Sequence, residues 1–175
     1  MDDPPSSYAA LRDILGDVNQ WLHFAEAKNA VLVTFDLALV VGIGTIGATG
    51  TNLPESFGTL SVVFCLGLTI SALTSLSSFF PNLLKFLDPK TCGGFEGNIF
   101  YFGDLAAASG HSFLVAFHKK ATGTKQTAFD DDLANQIVTN SRITLRKLRA
   151  FAIALRITGA FILFAMVALI IEICR

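Results

Sequence analysis

SFGTLSVVFCLGLTISALTSLSSFFPNLL, residues 56–84, runs 29 residues without a charged side chain. A helix rises about 1.5 Å per residue and a bilayer's hydrocarbon core is about 30 Å thick, so about 20 apolar residues suffice to cross it. Two more stretches flank this one. Ala30–Leu53 holds one charge, Asp36, and Ala150–Ile171 holds one, Arg156. The pattern predicts an all-α membrane protein with three transmembrane helices, two of them extended into a small cytoplasmic helical bundle. The expected division is a cytoplasmic amphipathic helix over 1–28, spans over 29–50, 57–81 and 150–172, and a cytoplasmic helical region over 82–149.

Composition agrees with that class. Of 175 residues 52% are hydrophobic and only 15% charged, against roughly 25% charged in soluble domains. The net charge of −1 leaves no basic surplus to attract nucleic acid. Cys65, Cys92 and Cys174 form no CxxC pair, which argues against a disulfide framework or a structural zinc site. The first 28 residues carry neither a basic n-region nor an apolar h-region, so the first span is expected to act as its own signal anchor.

Basic residues set the expected orientation. The link Gly50–Ser56 has no Lys or Arg, whereas Lys85–Arg149 has nine. Basic residues near span ends stay in the cytoplasm. The N-terminus and the 85–149 region are therefore expected inside, Thr51–Glu55 as an external turn, and Cys174 and Arg175 outside.

Apolar residues recur at three and four in Leu11, Leu15, Val18, Leu22 and Ala25, with no breaker before the first span. One helix is expected from about Ser7 to Gly47. Asp88-Pro89 and Gly93-Gly94 mark a loop, and a helix over 97–119 follows, with Ile99, Phe102, Leu105, Phe113, Leu114 and Phe117 as its apolar set. A second loop covers Ala121–Thr127. Asp130-Asp131-Asp132 then opens a helix against its positive dipole end. Its expected seam is Leu133, Ile137, Leu145, Leu148, Ala152 and Leu155, over about 40 residues and ~60 Å. Few apolar positions lie outside the spans, so homo-oligomerisation is expected to complete the cytoplasmic core.

Asp36 and Arg156 are the sharpest functional signal. They lie eight residues past Lys28 and seven past Arg149, hence at similar depth, ~10–12 Å inside the same face. Opposite sign at equal depth predicts a pair, within one chain or between neighbours, acting as a latch or lining a water path. The alternative is that Arg156 snorkels to headgroups while Asp36 caps a backbone gap or is protonated. Gly67, Ser71 and Ser75, spaced by four, offer a close-packing face, either within the chain or between copies.

The expected ligand patch is Asn135, Gln136, Asn140, Arg142, Arg146 and Lys147, whose amide and cationic groups can read a base edge and a phosphate. The competing reading is a buried hydrogen-bond network with a positive-inside collar. Catalysis has little support. His23, His111 and His118 are scattered, and there is no HExxH, glycine-rich phosphate loop or GxSxG elbow, so neither an enzyme nor a metal site is expected.

Three segments carry a resemblance: WLHFAEAKN at Trp21–Asn29, NIFYFGD at Asn98–Asp104, and DLANQIVTNS at Asp132–Ser141 leading to LRKLR at Leu145–Arg149. In order and spacing, over about residues 15–172, the chain resembles the transmembrane effectors of Pycsar anti-phage systems. The resemblance implies a pyrimidine nucleotide cyclase as partner. Its product, cyclic CMP or cyclic UMP, would act as the ligand, with no cofactor. It also implies an effector that compromises the bacterial inner membrane and aborts infection. A separate cyclic-nucleotide-binding domain is not recognisable, so direct sensing would fall to the small bundle. The competing functions are a constitutive oligomeric channel and a membrane scaffold that recruits a cytoplasmic protein.

Overall fold

The computed structural model describes residues 6–49, 55–80, 85–87, 89–90, 94–121 and 127–174. The described residues hold α1 (Ser7–Ala48), α2 (Glu55–Ser77), a 3-10 turn (Lys85–Leu87), α3 (Phe102–Ala107), α4 (Gly110–Lys120) and α5 (Asp130–Ile173), with no strand among them. Three helices, α1, α2 and α5, are long and apolar enough to cross a membrane. The expected turn over Thr51–Pro54, the end of the second span at Pro81, Asp88, Cys92, Gly93 and most of the 121–127 loop lie outside the described residues.

The chain divides into one unit of Met1–Glu26 with Leu84–Leu148 and another of Ala27–Leu83 with Arg149–Arg175. Both α1 and α5 contribute to each unit. Within α1 the buried positions Leu11, Val18, Ala25 and Leu32 recur every seven residues, as do Asn29 and Asp36. That is the spacing of a left-handed helical seam. Its earlier positions are aliphatic, and its later ones include an amide and a carboxylate.

The first unit has a conventional core. Leu11, Ile14 and Val18 of α1 pack with Phe102 and Leu105 of α3, Phe113, Leu114 and Phe117 of α4, and Ala134, Ile137 and Val138 of α5. The single helix expected over 97–119 is instead two. Ala108 and Ser109 are both extended, at φ −76, ψ 164 and φ −94, ψ 156. A capping box holds the break: the Ser109 hydroxyl accepts from the Ser112 N–H and the Ser112 hydroxyl from the Ser109 N–H, each at 3.0 Å. Residues 97–101 form a turn before α3. The Asp104 carboxylate accepts from the Asn98 N–H at 2.9 Å, and the Asn98 side-chain carbonyl oxygen from the Phe100 N–H at 3.0 Å.

The second unit reverses the usual polarity. Val31, Val41, Leu66, Leu73, Leu163 and Leu169 are exposed, whereas Asn29, Asp36, Ser71, Ser75, Ser78 and Thr158 are buried. This arrangement suits lipid, where outward aliphatic side chains are solvated and small or polar residues mediate helix contact. The same physics corrects the expected α5 seam: Leu155 is 48% exposed, while Ala150, Ala154 and Thr158 face inward. Gly67 lies against the Phe161 ring, so the small-residue face of α2 is used within the chain.

Candidate functional site

Polar groups gather at two places, one in each unit. In the second unit α1 presents Asp36, fully buried, to α5, where the Thr158 hydroxyl donates to Asp36 Oδ1 at 2.9 Å. Thr158 Oγ1 lies 2.7 Å from Ser71 Oγ of α2, and Ser71 Oγ also reaches the Ala154 carbonyl at 3.0 Å. Each hydroxyl has one proton. Thr158 gives its own to Asp36, and the single Ser71 proton serves the Ala154 carbonyl and Thr158 Oγ1 between them.

Arg156 does not join this network. It is exposed, and Thr158, two residues on, lies about 200° around the helix at 100° per residue. The face of α5 that carries Thr158 to Asp36 therefore turns Arg156 away. The expected Asp36–Arg156 pair is not formed within the chain, and Asp36 bonds to hydroxyls instead.

In the first unit, most of the expected ligand patch is occupied by internal contacts. Asn135 stands against Gly110, where a Cβ would collide with its side chain. Asn140 donates to Asn19 Oδ1 at 2.8 Å. Arg142 reaches the carbonyls that end α3, Nε to Ala106 at 3.0 Å and Nη2 to Ala108 at 2.5 Å. Lys147 donates to Glu26 Oε1 at 2.8 Å, and Arg146 is half-buried. The hydrogen bond and charge of Lys147 hold the Glu26 carboxyl below its ordinary range against the opposing effect of burial.

Gln136 opens onto a cleft of about 490 Å³ whose other walls include Tyr8, Thr127, Phe129 and Asp132. Tyr8 and Phe129 meet edge to face at 6.3 Å between centroids, and both are exposed. Tyr8 also borders an adjoining cleft with Arg12, Asp13 and Gln20. Sequence reasoning missed this pair because the two aromatics sit 121 positions apart, at the starts of the two long helices. Asp130 fastens the place where α5 begins. Burial raises its carboxyl, but hydrogen bonds from Thr127 and Ser7 and the nearby His118 outweigh that and leave it below its ordinary range. His118 Nε2 lies 3.6 Å from Asp130 Oδ2. Among the described residues no group of three or more His, Cys, Asp or Glu could hold a metal ion.

Most residues of the segments that carry the resemblance lie in this unit. Trp21 stacks on Phe102 at 5.3 Å, and Asn140 and Arg142 tie α5 to α1 and α3. A family model described as Pycsar effector protein domain matches residues 10–172. The chain is also 30% identical over 146 residues to the Pycsar effector protein RsPycTM of a Rhizobium species, a match that covers 81% of this chain and 80% of that protein. No solved structure matches it. With three candidate spans and a family match over nearly its whole length, this chain belongs to the Pycsar effector family of membrane proteins that act in anti-phage defence.

Proposed function

We propose that this protein is an inner-membrane effector switched by a cyclic pyrimidine mononucleotide from a partner cyclase. Once switched, it impairs the membrane and aborts infection. The observation that carries the reading, beside the family, is that α1 and α5 each run from one unit into the other without a break. A ligand that changes how these helices pack in the first unit acts on the same rods that form spans. It does so only by binding the resting and active arrangements unequally.

The Tyr8–Phe129 cleft is the proposed ligand site. Its volume falls in the range of ~300–1,000 Å³ typical of small-molecule sites. The exposed rings offer a face for a pyrimidine, the Gln136 amide a donor and an acceptor for the base edge, and Arg12 next door a cation for the cyclic phosphate. Asn140, Arg142 and Lys147 keep their internal bonds, Asn135 its place against Gly110, and the four act as the frame. The basic collar of residues 85–149 supports a cytoplasmic position for this unit, on the side where the nucleotide is made. Homo-oligomerisation accompanies activation.

The test is dye release from liposomes of bacterial inner-membrane lipid holding the full chain, against a panel of cyclic mononucleotides. Release with cyclic CMP or cyclic UMP, and little without, is expected. Tyr8→Ala should raise the half-maximal nucleotide concentration about tenfold, since stacking a base on an aromatic ring contributes ~1–3 kcal/mol. Release without nucleotide would instead mark a constitutive channel. No release with any nucleotide overturns the reading.

A further inference from the structure

Hydroxyl groups in the second unit divide sharply by position. Thr34, Thr45, Thr69 and Thr74, on outer or half-buried faces, each donate to the carbonyl four residues back, at 2.8–3.0 Å. That is the ordinary way to satisfy a hydroxyl in lipid. The interior groups behave differently. Ser71 and Thr158 bond across helices, and Ser75 Oγ, Ser78 Oγ and Asp36 Oδ2 are buried with no hydrogen-bond partner. Ser71 and Ser75 of α2 and Ser78 in the turn just after it follow at four and three, along ~10 Å of chain.

A buried polar stripe of this kind destabilises a resting bundle compared with an aliphatic seam, because unsatisfied polar groups and a carboxylate are costly away from water. Its one ionisable group is Asp36, and no ion pair offsets that residue among the described residues. Its other side chains are hydroxyls, with the Asn29 amide buried two turns before Asp36 on the same face of α1. Carboxylate and hydroxyl oxygens can replace the hydration shell of a cation, and an ionised carboxylate repels an anion.

We propose, resting on the membrane-impairing reading above, that Asp36, Ser71, Ser75, Ser78 and Thr158 line a path for small monovalent cations. The path is closed in this arrangement and becomes hydrated when the helices separate. Asp36 sets the preference for cations, and the hydroxyls of α2 and α5 supply the remaining ligands. The competing role for such a stripe is to specify helix register, as buried polar residues do in coiled coils. That role has no bearing on which ion passes.

The deciding measurement is the reversal potential across planar bilayers of phosphatidylethanolamine and phosphatidylglycerol under a KCl gradient. The bilayers hold the full chain and receive cyclic CMP and cyclic UMP in turn. Wild type should reverse toward the potassium potential. Asp36→Asn preserves shape and the acceptor for Thr158, and should lower the potassium-over-chloride preference several-fold. Asp36→Glu should retain it, and Asp36→Lys should invert it. Thr158→Val should lower conductance without changing selectivity. Current with no cation preference, or an Asp36→Asn channel as selective as wild type, overturns the cation path while leaving membrane impairment standing. No current under either nucleotide overturns both.

Discussion

Lys147 is only 8% exposed, and its ammonium reaches water poorly, so the Glu26 carboxylate beside it contributes to stability chiefly in the ionised state. Glu26 itself is 38% exposed on its side chain, which screens the pair and reduces it to about 1 kcal/mol. Glu26→Gln is expected to cost that amount in thermal unfolding in detergent at neutral pH. Because Glu26 is held below its ordinary range when folded, the pair's contribution is full above the ordinary carboxylate pKa. It fades as pH falls through the lowered value, so wild type and Glu26→Gln should converge in acid. Arg142 shows how a residue's type misleads about its task. A guanidinium in a polar stretch reads as a phosphate ligand, yet here it closes the C-terminal end of α3. Arg142→Ala should cost ~2–3 kcal/mol through the lost charged hydrogen bonds, with Arg142→Lys recovering part of it. The polar patch was legible as polar in the sequence. Its partners, Asn19, Ala106 and Ala108, were not, since they lie between 34 and 121 residues away.

The two long helices were legible because nothing along them breaks a helix and their ends carry ordinary caps. Ser6 accepts from the Ala9 N–H at 3.4 Å where α1 begins, and three aspartates open α5. The α3–α4 break was also written in the chain, as Ser109 followed by Ser112. An apolar set at helical spacing, from Phe102 to Phe117, reads through such a box unless the box is weighed first. The α5 seam held from Leu133 to Leu148 and failed at Leu155, for another reason. Sequence patterning assumes that large aliphatic residues seek the interior, which holds in water and not in lipid. A paired substitution on α2 checks that the small face is packed within the chain. Gly67→Leu meets the Phe161 ring and should lower stability by about 1–3 kcal/mol. Gly58→Leu meets nothing within 4 Å and should be neutral or slightly stabilising through helix propensity. Equal effects would place the interface elsewhere.

For the whole molecule, the expected orientation follows from where the basic residues lie. Alkaline phosphatase joined after Lys120 should be inactive, and joined after Cys174 active. The reverse pattern would turn the protein over and remove the proposed ligand cleft from the cytoplasm. Length and apolarity alone identify three spans, because crossing a bilayer depends on a count of greasy residues and needs no partner. The order of short motifs likewise sufficed to place the chain in its family. Which polar groups face each other came only from the folded chain. Contact across helices depends on how each rod is rotated about its axis, and that rotation is set by neighbours such as Phe161 on Gly67. Depth along a helix put Asp36 level with Arg156, but rotation gave it Thr158 instead.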